Sequence, residues 1–100
     1  MAVYLIIDSE IHDPEAYKAY LEAAPAFLKK HDGEYLVRGG DFTVIKGDWQ
    51  PTRLLLFQFP DRQAIDSLMN DPDYQPWKKL RESVSTTKNS IVVDGVSEPV

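Results

Sequence analysis

Two unbroken apolar runs, Val3-Tyr4-Leu5-Ile6-Ile7 and Leu54-Leu55-Leu56-Phe57, stand out from an otherwise mixed pattern. Runs of this length, bounded by polar residues and rich in branched side chains, read as central strands covered on both faces. They predict strands over Val3–Asp8 and Arg53–Phe59. Between them the period changes. Asp13-Pro14-Glu15 supplies an N-cap, a proline for the first turn and an acid at the positive helix end. Tyr17, Tyr20, Leu21, Ala24, Phe27, Leu28 and His31 then repeat at three- and four-residue steps. A long helix is predicted, bent at Pro25 and stopped by Gly33.

Glu34–Arg38 and Phe42–Lys46 read as one broken strand or two short ones, with Gly39-Gly40 allowing a bulge or bend between them. Gly47-Asp48-Trp49-Gln50-Pro51 is a turn. Pro60-Asp61 opens a second helix that buries Ala64, Ile65, Leu68 and Met69 and breaks at Asp71-Pro72. Pro76 starts a short helix with Trp77 and Leu80. Ser83–Asn89 reads as a polar connection to a last strand, Ser90–Asp94. The order β-α-β-β-α-β predicts an α+β, ferredoxin-like domain over residues 1–96, with an antiparallel four-stranded sheet and helices on one face. Residues 97–100 read as a loose tail. The uncovered sheet face still carries Leu, Ile and Tyr, and therefore calls for a second copy of the chain.

Composition narrows the partners. The net charge of −5 opposes attraction to nucleic acid or anionic membranes. No segment reaches the roughly 20 apolar residues of a membrane span, and the N-terminal run meets Asp8 and Glu10 too early for a signal peptide. With no cysteines there is neither a disulfide nor a thiolate site, which suits a cytoplasmic setting. No paired histidines and no dinucleotide fingerprint occur, so no haem, flavin, metal or other cofactor is expected.

Arg38 is the first candidate for chemistry, because a charge within an apolar strand needs a carboxylate, a hydrogen-bond network or a bound anion. Strand alternation puts Tyr4, Ile6 and Asp8 on the face away from the helices. The same alternation groups Leu36 and Arg38 with Leu54, Leu56 and Gln58. Asp8, Asp41 and Gln58 are thus the expected neighbours of Arg38, in either a ligand anchor for a carboxylate or enolate or an ion pair that fixes register. Trp49 is read as a lid or interface residue, or as a ring folded over its own hairpin. His12 reads as solvated and His31 as a helix cap, and the pair Asp71/Asp73 as helix capping rather than a calcium site.

The pieces Asp13-Pro14-Glu15-x-Tyr17, Leu36-Val37-Arg38-Gly39-Gly40, Gly47-x-Trp49-x-Pro51, Phe59-Pro60 and Asp71-Pro72-Asp73-Tyr74-Gln75, in this order, resemble the domain-of-unknown-function family 1330 (DUF1330) of the dimeric α/β-barrel superfamily. The resemblance covers nearly the whole chain. It implies a homodimer whose sheets face each other around a possible ligand cavity, and it implies no activity. One departure is Gln58, where that family tends to carry a glutamate. Two function classes remain open: a cofactor-independent enzyme acting on a small oxygenated organic molecule, and a non-catalytic dimer that binds or senses a small molecule.

Overall fold

The computed structural model describes residues 2–96; the expected loose tail, 97–100, lies outside the described residues. Four strands form one antiparallel sheet: β1 (Val3–Ile11), β2 (Glu34–Arg38), β3 (Leu54–Phe59) and β4 (Ser85–Asp94), in the spatial order β2-β3-β1-β4. The two apolar runs are the central pair, as their patterning requires. Three helices, α1 (Pro14–Lys30), α2 (Arg62–Met69) and α3 (Gln75–Val84), connect them in an α+β, ferredoxin-like arrangement. None of the described helices is long and apolar enough to cross a membrane.

Alternation along the central strands decides what is buried. Val3, Leu5 and Ile7 of β1 and Leu55, Phe57 and Phe59 of β3 form one core with Tyr17, Tyr20, Ala24 and Leu28 of α1 and Ile65 and Leu68 of α2. Phe59 is 1% exposed, and its ring lies where a side chain on residue 33 would have to go. A Cβ on Gly33 would fall 2.5 Å from Phe59 Cε1. Gly33 is therefore a packing residue. The helix stop expected there is made one residue earlier by Asp32, in the left-handed conformation at φ 62°. The Gly33 amide donates to the Leu28 carbonyl at 2.8 Å and the Asp32 amide to Lys29 at 3.2 Å, which satisfies carbonyls that the helix end leaves open.

Helix starts follow the capping chemistry. Asp13 accepts from the Ala16 amide at 3.1 Å and Asp61 from the Ala64 amide at 2.8 Å. α1 runs on through Pro25 to Lys30.

Three expected elements differ. β1 runs on to Ile11 rather than ending at Asp8. Phe42–Lys46 is not a strand but part of a long loop between β2 and β3, because Gly39 at φ 70° turns the chain out of the sheet. β4 begins at Ser85 rather than Ser90. Its Thr86, Thr87, Lys88 and Asn89 are polar because β4 is a sheet edge and this stretch faces solvent, which is how an edge strand imitates a loop. No residue separates α3 from β4, and the Val84 carbonyl at their joint accepts from the His12 and Asp13 amides at 2.8 and 3.3 Å.

Candidate functional site

The face away from the helices carries most of the residues singled out from the sequence. Tyr4, Ile6 and Asp8 stand in register with Gln58, Leu56 and Leu54. Asp8, only 3% exposed, accepts from the Thr52 amide at 2.9 Å, the Trp49 indole at 3.2 Å and the Arg53 amide at 3.3 Å. Burial works to raise its pKa, but these three bonds and the nearby Lys88 charge outweigh it and hold the carboxyl below its ordinary value. Asp8 is thus spent on the β2–β3 loop, and Trp49 pins that loop while remaining half exposed. Asp41 lies exposed in the same loop.

Arg38 is not with them. Tyr35 pairs with Phe57, Val37 with Leu56 and Arg38 with Leu55, so Leu36 is an extra residue in β2. This bulge reverses the alternation. Arg38 shares the helix-side face with Leu55, is exposed, and sets its guanidinium carbon 5.1 Å from the centroid of Tyr35. The expected convergence of Arg38 with Asp8, Asp41 and Gln58 is therefore overturned by one inserted position.

The helix side of the sheet holds a better-formed site. Two adjoining cavities of about 30 Å³ each lie between sheet and helices. Ile7, Tyr20, Tyr35, Phe57 and Arg81 line both, with Ser9, Tyr17, Ser85 and Thr87 on one side and Phe27, Leu28, Met69 and Tyr74 on the other. Seven aromatic rings contribute to the wall. Tyr17 and Tyr20 lie 5.4 Å apart, Phe27 and Tyr74 5.4 Å, and Tyr35 and Phe57 4.8 Å, all tilted. Tyr20 and Tyr74 share a hydrogen bond of 2.6 Å between their hydroxyls.

Two buried polar atoms have no hydrogen-bond partner among the described residues: Ser9 Oγ, in the wall of the second cavity, and Arg53 Nη1, beside that wall next to Tyr17. Arg53 reaches the helix side because it shares the alternation of Leu55, Phe57 and Phe59. Its guanidinium carbon lies 5.8 Å from the Tyr17 centroid. The room comes from Gly39, where a Cβ would meet Arg53 Nε at 2.7 Å. The Arg-Gly-Gly motif therefore serves Arg53 more than Arg38.

Two arginines stand at the chamber of a chain of net charge −5, Arg81 in its wall and Arg53 next to Tyr17. Arg53 forms no salt bridge among the described residues, and the nearest carboxylate to Arg81 is the largely exposed Glu82 at 3.9 Å. The phenols respond to burial and to these charges in opposite senses. Burial pushes Tyr35 up to about 12 and also raises Tyr17 and Tyr74, while Arg53 and Arg38 at Tyr35, Arg53 and Arg81 at Tyr17, and Arg81 at Tyr74 pull back. All three are neutral hydrogen-bonding groups near pH 7. None of the residues lining the two cavities is a carboxylate or a histidine.

Both histidines have partners elsewhere. His12 bonds to Thr86 Oγ1 at 2.6 Å, and His31 bonds with Lys30 to Asp71 Oδ2, each at 2.8 Å. The Asp71 carboxyl is held well below the usual range, first by Lys30 and then by His31. Its other oxygen accepts from the Asp73 amide at 2.9 Å, a contact within the turn rather than the helix cap expected of this pair, since α3 starts after Tyr74 with no side-chain cap bond.

Ser9 and Arg53 were the residues missed from the sequence. Ser9 lies two positions beyond Ile7 and Arg53 two before Leu55, so parity alone marks both as inward-facing. The signal is weak because the apolar run stops before Asp8 and Arg53 stands only at the start of the predicted strand.

Known structures share this architecture. A protein of unknown function from Rhodopseudomonas palustris is 17% identical, with 97% of this chain and 84% of that one covered at a TM-score of 0.74. HapK from Hahella chejuensis is 10% identical, covering 98% and 96% at 0.69. SnoaB, a cofactor-independent oxygenase from Streptomyces nogalater, is 13% identical, covering 97% and 95% at 0.64. At these identities the likeness is one of fold. No curated protein matches the sequence. Residues 2–96 match the domain of unknown function DUF1330, and with that match spanning nearly all of a ferredoxin-like chain, the protein belongs to the DUF1330 family.

Proposed function

We propose that this protein works as a homodimer that takes a small oxygenated organic molecule into the chamber between sheet and helices and acts on it without a cofactor. The observation that carries the reading is the pair of buried, unpartnered donors, Ser9 Oγ in the cavity wall and Arg53 Nη1 next to Tyr17 of that wall. Leaving such groups unsatisfied costs free energy that a ligand oxygen would recover. The fold likeness to a cofactor-independent oxygenase supports the catalytic half. Arg53, Arg81 and the neutral phenol of Tyr17 would stabilise negative charge developing on a substrate oxygen.

A second reading, a non-catalytic binder or sensor, draws on one observation of its own: among the described residues no carboxylate or histidine lines the chamber to act as a general base. The outer sheet face supports the dimer, with Ile91 58% and Val93 45% exposed beside Tyr4 and Ile6. An open depression of about 370 Å³ beneath the β2–β3 loop, lined by Phe42, Ile45, Trp49 and Leu54, continues that surface. On this surface Tyr4, Gln58, Asp41 and Trp49 are proposed as partner-facing residues, with Asp8 as their support. The cysteine-free composition supports a cytoplasmic setting.

The test is native mass spectrometry of protein purified under mild conditions, followed by incubation of the released compound with wild type and with Tyr17→Phe. Turnover lost in the variant selects the enzyme, and retention without turnover selects the binder. If no compound is retained and a fragment screen by NMR shifts no amide around the chamber, the reading falls.

A further inference from the structure

Resting on the chamber reading above, we propose that the ligand enters as an anion, with a small carboxylate group held between the Arg53 guanidinium and the Ser9 hydroxyl. Asp8 stands opposite Leu54, and the Ser9 amide donates to the Arg53 carbonyl at 3.0 Å, so Ser9 and Arg53 are cross-strand neighbours. Both project to the helix side. Neighbours of this kind have Cβ atoms about 4.5–5.5 Å apart, close enough for one small group to touch both side chains.

Charge selects the class of ligand. A buried guanidinium nitrogen without a partner favours a compensating anion, and no carboxylate among the described residues lines the cavities. Arg81 adds a second positive charge, and its own contacts are long, 3.5 Å to the Tyr74 hydroxyl and 3.9 Å to Glu82. Donor count selects the head group. One free guanidinium nitrogen and one hydroxyl match the two oxygens of a carboxylate, whereas a phosphate group presents three acceptor oxygens and a charge of about −1.5 to −2. Size sets the body. Cavities of about 30 Å³ admit only a few heavy atoms unless the tyrosine rings move.

NMR titration of the intact protein tests this, with acetate and propanoate as probes, acetamide and propanamide as their neutral counterparts, and inorganic phosphate as the competing anion. The carboxylates are expected to shift the Ser9 and Arg53 amides and to bind at least about tenfold more tightly than the amides, which corresponds to the loss of one charge-assisted hydrogen bond. Arg53→Gln should abolish that preference. Should that variant fold poorly, Ser9→Ala, a small change at a 5% exposed position, should still weaken carboxylate binding several-fold, and unchanged carboxylate binding in that variant would overturn the proposal. Equal binding of carboxylates and amides would overturn the anion proposal, and phosphate binding as tightly as propanoate would overturn the carboxylate head group; either outcome leaves the chamber reading intact. Failure of every probe to shift a chamber amide would overturn both.

Discussion

A residue's role here depends on which side of one sheet it faces. Arg38 has the conspicuous sequence context, yet Arg53 has the buried, unpartnered nitrogen. Gly39 connects the two, since its left-handed φ turns the chain and its missing Cβ leaves space for Arg53. Gly39→Ala should lower stability by about 1–2 kcal/mol for the left-handed conformation alone and should also displace the guanidinium. Chemical denaturation reads the first effect, and loss of propanoate binding the second. Tyr20→Phe removes one partner of the buried phenol pair and should cost about 1 kcal/mol, measured the same way. The sequence revealed the inward faces of β1 and β3 through Leu5, Ile7, Leu55 and Phe57. It did not reveal the bulge at Leu36, because Leu36 and Val37 are both apolar and neither marks where alternation slips.

At the level of elements, two carboxylates tether segments that the backbone alone would leave loose. Asp8 holds the β2–β3 loop, and Asp71 ties the end of α1 to the turn before α3. Both have folded pKa values below their ordinary ones, so each stabilises the fold fully above the unfolded carboxylate value of about 3.9. That contribution is lost as pH falls through the lower folded values. Acid titration followed by hydrogen exchange should show the loop amides near Thr52 losing protection below about pH 4. Asp8→Ala should free the same amides at neutral pH at a cost of about 1–3 kcal/mol. These tethers were only partly legible in the sequence. Asp71-Pro72 marks the helix break, but the link of Asp71 to His31 spans 40 positions, a distance that no local pattern reports.

For the molecule as a whole, the asymmetry between sheet faces matters most. Helices cover one face, while the other exposes Ile91, Val93, Leu36 and Val37, with Ile45 95% exposed in the adjoining loop. An apolar surface of this kind marks an association site. Val93→Lys paired with Ile91→Lys should turn the expected dimer into a monomer without disturbing the core, which sedimentation velocity would read directly. The α+β architecture and strand order were legible because both central strands are unbroken apolar runs. At alkaline pH the opposite limit applies. Tyr35 titrates near 12 when folded against about 10 when unfolded, so its stabilising contribution is complete below about pH 10 and disappears as pH rises through the folded value. Tyrosinate absorbance should therefore rise together with unfolding.

The direct joint between α3 and β4 gives the molecule a lever. With no loop to absorb rotation, and with the Val84 carbonyl clamped by two amides of the β1–α1 turn, Arg81 on the chamber wall and Ser85 at the start of the edge strand move as parts of one arm. Any tilt of α3 that widens the chamber is transmitted to the rim of the sheet, so the mechanical stiffness of that joint governs how readily the interior opens.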